Sequence, residues 1–451
     1  MRTQSLGDQT VDLLGRLVRL GCVNDLTADS GGEERAADLL EEFFAGLPVS
    51  IERITPHPGR TSLVVTVEGA DPRSAGTPLT LLGHTDVVPV DTAKWTRDPF
   101  GAQIEDDVMW GRGTVDMLHL TAAMAVVTRE VARRAQDGNP LARSLVFVAA
   151  ADEEARGGLG VPWIGDNKPN ALPWDAALSE MGGAHVRGRR GGDSVVVVVG
   201  EKGAAQRRLH IRGDAGHGSV PLGRMSAVER LAQVSAALSA ARWPTATDEV
   251  WAGFVRAFEF DETTETSLIN GTYEGDYSEF EDLAAFAHAI SHVTVAQTVA
   301  HSGGPINVMP SHATLELDIR TLPGVDDDDV DAAIAAALGD LAEHVTIERL
   351  LSEAATASSI DTDLYRVIEA TLTQRYPGTR VVPVFFPGGS DLRVARRLGG
   401  IGYGFGAVDS GASLGQVYSQ LHAHDEHIAL ADVRATAEVL HEVVTSYLTD
   451  V

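Results

Sequence analysis

The stretch 144–154, SLVFVAAADEE, constrains this chain most, because seven consecutive apolar residues run straight into three acids. Such a run has no polar face to turn to solvent, so it reads as a strand covered on both sides. Its neighbours fit the same plan. Residues 61–67 and 78–86 read as strands, 33–46 and 120–135 as helices, and 174–180 as a further strand. This alternation predicts an α/β fold, a mixed sheet with helices on both faces. In such sheets ligands bind beyond the carboxyl ends of the strands, where His84, Glu153, Glu154 and Glu180 all fall.

A chain of 451 residues is too long for one core. Near Glu201 the pattern changes. Residues 204–213 alternate as a one-sided strand, a helix is expected over 226–242, and 307–324 reads as a hairpin. A helix from Asp328 and a strand over 344–350 come next, and the run Asp326–Asp329 reads as acid at a helix N-terminus. These elements predict a smaller α+β lid domain over 201–350, inserted between catalytic parts 1–200 and 351–451. Residues 243–300 read as a long, irregular, aromatic-containing insertion.

Charge narrows the partners. The chain carries 64 acidic and 36 basic side chains, a formal net charge of -28. That field repels phosphate backbones and anionic lipid, so neither nucleic acid nor membrane is an expected partner. No apolar run reaches membrane-spanning length, and the N-terminal segment reads as an amphipathic helix, so the expected location is cytoplasmic. The single cysteine, Cys22, rules out an intramolecular disulfide and a cysteine-based zinc site. Any metal must be held by histidine and carboxylate.

Five side chains form a candidate two-metal centre: His84, Asp116, Glu154, Glu180 and His422. Two divalent ions against three carboxylates and one hydroxide balance in charge, and such a pair lowers the pKa of a bridging water. Glu153 would take that water's proton. Asp86 would accept a hydrogen bond from the non-ligating nitrogen of His84 and fix its tautomer. Each carboxylate taken singly reads equally as a solvated surface acid; their shared place at strand ends is what joins them.

The segments LGHTDVVP (82–89), GRGTVDM (111–117), ADEE (151–154), SEMGG (179–183) and LHAHDE (421–426) together resemble the di-zinc aminoacylase and carboxypeptidase family. That family includes acetylornithine deacetylase, succinyl-diaminopimelate desuccinylase and glutamate carboxypeptidases. The resemblance spans residues 10 to 445. It implies that His84 and Glu180 hold one zinc, that Glu154 and His422 hold the other, and that Asp116 is shared by both. It also implies that Glu153 is the general base. GHGSVP (216–221) resembles the lid motif whose histidine reaches the partner subunit's site, which makes His217 a candidate for polarising the scissile carbonyl. Asn307 and Arg320 resemble residues that hold a substrate carboxylate. Gly388 and Gly389 lie in a segment that resembles the glycine-rich lining of the pocket.

The resemblance therefore implies a homodimeric, cytoplasmic metallohydrolase. It would cleave an amide beside a free carboxylate, in short peptides or N-acyl amino acids, through a metal-bridging hydroxide. Zinc, cobalt and manganese all suit such ligands. Two other readings remain: a catalytically silent metal-binding scaffold, and a hydrolase of carbamoyl or amidine substrates. Two departures stand out. The bridging aspartate is succeeded by Met117-Leu118-His119 where the family has Met-Lys-Gly, and the 243–300 insertion is long for a lid. A cis peptide after Asp116 is a further expectation of the resemblance.

Overall fold

The computed structural model describes residues 4–27, 29–70 and 76–449. Its centre is a ten-stranded mixed sheet. The strands Leu145–Ala150, Leu79–His84, Ala176–Ser179 and Ile401–Gly404 lie side by side and parallel. Ser50–His57 and Arg60–Val67 extend one edge as an antiparallel pair. On the other side Ile401–Gly404 meets Asp193–Glu201 antiparallel, and Arg380–Phe386 pairs parallel with the latter.

The apolar runs divide their residues between two cores. Leu81, Phe147 and Ala149 face the larger one, where helices Leu6–Leu20, Leu118–Gln136 and Leu430–Thr449 pack on one another. Leu82, Val146 and Val148 face the smaller one, under Val161–Asn167 and Leu392–Arg397. A strand buried on both faces needs apolar residues at successive positions, which is why these segments show no alternation.

The second sheet has five strands: Gly203–Ala204, Arg207–Arg212, Thr294–Ser302, His312–Thr321 and Val345–Arg349. Helices Ala227–Ala240 and Asp327–Leu338 pack on each other, the former also against the sheet. Asp326 caps the latter helix, its side chain accepting the N–H groups of Asp328 and Asp329, so the acidic run is a helix start. Strand His312–Thr321 alternates buried and open positions, as a strand with one covered face must.

Two expectations are corrected. The segment 307–324 is not a hairpin in itself. His312–Thr321 instead pairs with Thr294–Ser302, while Val308–Met309 turns away to pair with Gly216–His217. Pro310, which has no N–H to give a ladder, separates the two pieces. The 243–300 segment is not irregular either. It forms helices Glu249–Ala257, Glu262–Ile269 and Ala284–Ser291 before entering the second sheet. Its aromatic residues build a buried cluster of Trp251, Phe254, Phe258 and Phe280, and helix Glu249–Ala257 packs against the large-sheet strand Arg380–Phe386.

Candidate metal centre

The three parallel strands that end in His84, Ala150 and Ser179 open onto one edge of the sheet. His84 is the last residue of its strand, Glu180 directly succeeds Ser179, and Glu153 starts a short helical turn after Ala150. Asp116 arrives from a glycine-bearing turn and His422 from the turn after helix Leu414–Tyr418. The Asp116–Met117 peptide is cis.

Asp116 sits between two histidines. Its Oδ1 lies 3.2 Å from His84 Nε2 and its Oδ2 lies 3.3 Å from His422 Nε2. His84 Nε2 is 3.7 Å from a Glu180 oxygen, and His422 Nε2 is 3.2 Å from a Glu154 oxygen. All five candidate ligands thus join in one chain of contacts, and Glu153 groups with His84 and Glu180.

The electrostatics fit a cation. Four carboxylates gather round two imidazoles, and Glu154 Oε1 is buried with no hydrogen-bond partner. Burial pushes the Glu154 carboxyl up to about 7 and Glu180 up to about 8, with Asp116 adding repulsion to both. Glu153 stands well above the usual carboxylate range, through burial and then the charge of Glu180. Hydrogen bonds to Asp116 and Glu154 raise His422 to about 10. Burial alone would lower His84, but Asp116 and Glu180 outweigh it and hold it well above its ordinary value. These are the marks of acids crowded together with too little positive charge. Nitrogen and oxygen donors without sulfur suit zinc, cobalt or manganese.

The assignment of Asp86 changes in part. His84 Nδ1 lies 2.9 Å from the Asp86 backbone oxygen, and 3.6 Å from its carboxylate. A carbonyl only accepts, so Nδ1 carries the proton and Nε2 is free to ligate. The Asp86 carboxylate meets closer donors. It accepts the backbone N–H groups of Glu153 at 3.2 Å and Glu154 at 3.1 Å, and the Asn24 amide at 2.8 Å. Asp86 therefore orients His84 with its main chain and the Glu153–Glu154 turn with its side chain.

Further supports had no sequence signal. Glu33 Oε1 accepts the N–H of Asp152 at 3.1 Å and pairs with Arg60 at 2.6 Å, both side chains being buried. Asn24 donates to Asp152 as well as to Asp86. Glu426 accepts from the backbone of Gly113, Val115 and Asp116 and pairs with Arg112. Glu426 stands in the LHAHDE segment, which is the only hint it offered.

The ligands open into a cavity of about 420 Å³, whose walls include Glu153, Met181, Arg320, Gly388, Gly389 and Arg393. A Cβ at Gly388 would lie 2.6 Å from the Phe386 ring, so a side chain there would make that ring move. Arg320 is held by Asp318 at 2.9 Å. Arg393 donates to the Arg156 backbone oxygen at 2.9 Å. His217 and Asn307 are not brought to this cavity. Both are exposed in and beside the ribbon formed by Gly216–His217 and Val308–Met309.

A mixed α/β layer with histidine and carboxylates at its strand ends, joined to a small α+β domain, defines a two-domain protein of the metallopeptidase type. The chain belongs to peptidase family M20/M25/M40, whose model matches residues 80–446. It is 27% identical over 344 residues to a probable carboxypeptidase S-like 2 of Dictyostelium discoideum, covering 74% of this chain and 64% of that protein. It is 27% identical over 305 residues to an acetylornithine deacetylase of Erwinia tasmaniensis, covering 68% of this chain and 65% of the relative. The chain thus spans just under two thirds of the length of these relatives. Its fold resembles the crystal structure of an M20 family metallo-carboxypeptidase from Sulfolobus solfataricus, with TM-score 0.68 and 21% identity over 98% of this chain and 99% of that one.

Proposed function

We propose that this chain is a two-metal amidohydrolase that cleaves an amide beside a free carboxylate, in short peptides or N-acyl amino acids. The observation that carries the reading is the division of Asp116, one oxygen toward His84 and the other toward His422. A carboxylate so placed is suited to serve two ions at once. Bound there, divalent ions would polarise the scissile carbonyl and lower the pKa of a water molecule.

The chain's own residues supply the rest. Glu153, half-buried beside Glu180 and raised in pKa, is suited to take a proton from the attacking water and deliver it to the leaving nitrogen. Arg320 and Arg393 line the same cavity and give a substrate carboxylate its counter-charge. His217 and Asn307 serve the site of a second subunit. Their ribbon carries Val220, Leu222, Ile306 and Val308, which stand 62%, 94%, 103% and 48% exposed, an apolar cluster suited to a homodimer contact through the lid. Among the described residues no helix is long and apolar enough to cross a membrane.

The test is a panel of dipeptides and N-acyl amino acids offered to zinc-, cobalt- and manganese-loaded protein, wild type and Glu153→Gln. Turnover in the wild type, its loss in the variant and unchanged metal content are expected. Substantial residual turnover in the variant would remove Glu153 from the role. Two bound metals with no turnover anywhere would favour a silent scaffold, and ammonia release would favour the carbamoyl or amidine chemistry.

A further inference from the structure

The metal pocket has an apolar neighbour that the hydrolytic reading leaves unused. A cavity of about 220 Å³ is walled chiefly by Val108, Val115, Leu120, Val417, Ile428 and Ala429. Met181 borders this cavity and the metal pocket. It also borders a gap of about 30 Å³, to which Phe386 and Tyr418 contribute from the metal-pocket side and Val417 from the cavity side. The three spaces therefore share Met181, the residue immediately after the candidate ligand Glu180, as a lining residue. An unbranched thioether with three rotatable bonds divides such spaces without sealing them.

The wall offers an occupant little charge to pair with. Asp432 is engaged by the backbone N–H and hydroxyl of Ser410, at 2.6 and 2.7 Å. Thr436 donates to the Ala407 carbonyl at 3.0 Å, and Gln420 accepts the His427 N–H at 2.9 Å. His119 also borders the cavity, and its Nδ1 is buried with no hydrogen-bond partner. Burial lowers that imidazole to about 4, so the ring is neutral at pH 7. Among the described residues no lysine or arginine lines the cavity, and the one carboxylate there repels an anion.

The other end of a substrate has its own place. Arg156, Lys202, Arg320 and Arg393 line the metal pocket, where they suit the carboxylate. The acyl group, which carries no such charge, suits the apolar cavity on the other side of Met181. We propose that this cavity is the acyl compartment of the substrate site, taking a neutral apolar acyl group. The inference rests on the amidohydrolase reading and adds to it the class of acyl group cleaved.

The experiment is an acyl series on one amino acid: N-acetyl-, N-butanoyl-, N-hexanoyl-, N-octanoyl- and N-succinyl-alanine, with metal-loaded full-length protein. The kcat/KM should rise by up to about fourfold per added methylene through octanoyl, the worth of burying one such group. The succinyl substrate should do no better than acetyl. Val417→Phe, which fills the cavity from its wall, should abolish the rise with acyl length. Calorimetric titration of octanoate and acetate into both proteins gives a readout independent of turnover, with octanoate binding at least about tenfold tighter only in the wild type. A flat acyl series alongside measurable acetyl hydrolysis overturns the compartment and spares the amidohydrolase. Octanoate that binds no tighter than acetate overturns it as well. Absent hydrolysis of every substrate would instead sink the hydrolytic reading, and the acyl role that rests on it.

Discussion

The Glu426 carboxylate accepts the backbone N–H of Asp116 at 3.1 Å, although 310 residues separate the two in sequence. The same carboxylate accepts from Gly113 at 2.9 Å and Val115 at 2.7 Å, and meets Arg112 at 2.7 Å. The turn that carries Asp116 between the two histidines is therefore shaped by a buried acid that itself faces no metal. Removing it in Glu426→Ala leaves three N–H groups and a buried guanidinium without their acceptor. Such a break costs about 3–5 kcal/mol in comparable buried pairs. Metal affinity should fall by roughly 10–100-fold, as when an outer support of a ligand is lost. Chemical denaturation and metal titration measure the two effects. Wild-type metal affinity in the variant would mean that the turn holds its shape without Glu426.

Asp86 does two jobs, of which the sequence shows only the one toward His84. His84 is oriented by the Asp86 main chain, which any substitution keeps, whereas the Glu153 and Glu154 N–H groups are held by its carboxylate. Asp86→Asn puts an amide where two N–H donors and the Asn24 amide converge, and one oxygen must serve all three. The expected result is a kcat lowered by about 10–100-fold, from a displaced base, with metal content near that of the wild type. Metal lost in proportion to rate would return the Asp86 carboxylate to the role of orienting His84.

His217 and Asn307 stand on an exposed ribbon outside the metal cavity, beside Leu222 and Ile306. If a second copy supplies them, two dead variants should rescue each other. His217→Ala and Glu153→Gln, unfolded and refolded together, form mixed dimers in which one site has both groups. Random pairing gives about a quarter of wild-type activity, since half the dimers are mixed and each has one complete site. Activity no greater than the sum of the separate variants would show that His217 acts within its own chain or not at all.

The parts of this molecule that could be read from sequence are those with a local cause. Runs such as 145–151 must be strands buried on both faces, and the residues just beyond the carboxyl end of such a strand lie at the ligand edge of this topology. That reasoning brought His84, Glu153, Glu154 and Glu180 to one place, the turns around Asp116 and His422 completed the candidate set, and the family motifs assigned each residue its metal. Asn24, Glu33 and Arg60 carry no such mark. Each is a polar residue in an ordinary context, and its worth comes from partners 27 to 128 residues away that only the fold brings near. The 243–300 segment reads as irregular from its turn residues. Yet Trp251, Phe254, Val255 and Phe258 recur at i, i+3, i+4 and i+7 behind the Asp248 cap, so helix Glu249–Ala257 had a local mark among the surrounding turn residues.

That packed insertion also predicts a pH response. His292 stacks on His288 with ring centroids 4.4 Å apart, and Lys202 donates to the His292 and Ala289 carbonyls at 2.7 Å each. Burial, then repulsion from His288, lowers the His292 imidazole to about 4. The unfolded chain takes up this proton near pH 6.5, whereas the folded chain resists until about 4. Between those values the unfolded state binds more protons, so this group's contribution to stability is lost as pH falls from 6.5 toward 4 and is flat above. His292→Phe keeps a ring for the stack and removes the proton. The wild-type minus variant difference in Tm should therefore be constant from pH 7 to 8 and become steadily less favourable to the wild type between pH 6.5 and 4. A difference that does not change with pH would show that His292 titrates alike in both states, and that the insertion leaves it as open to water as an unfolded chain does.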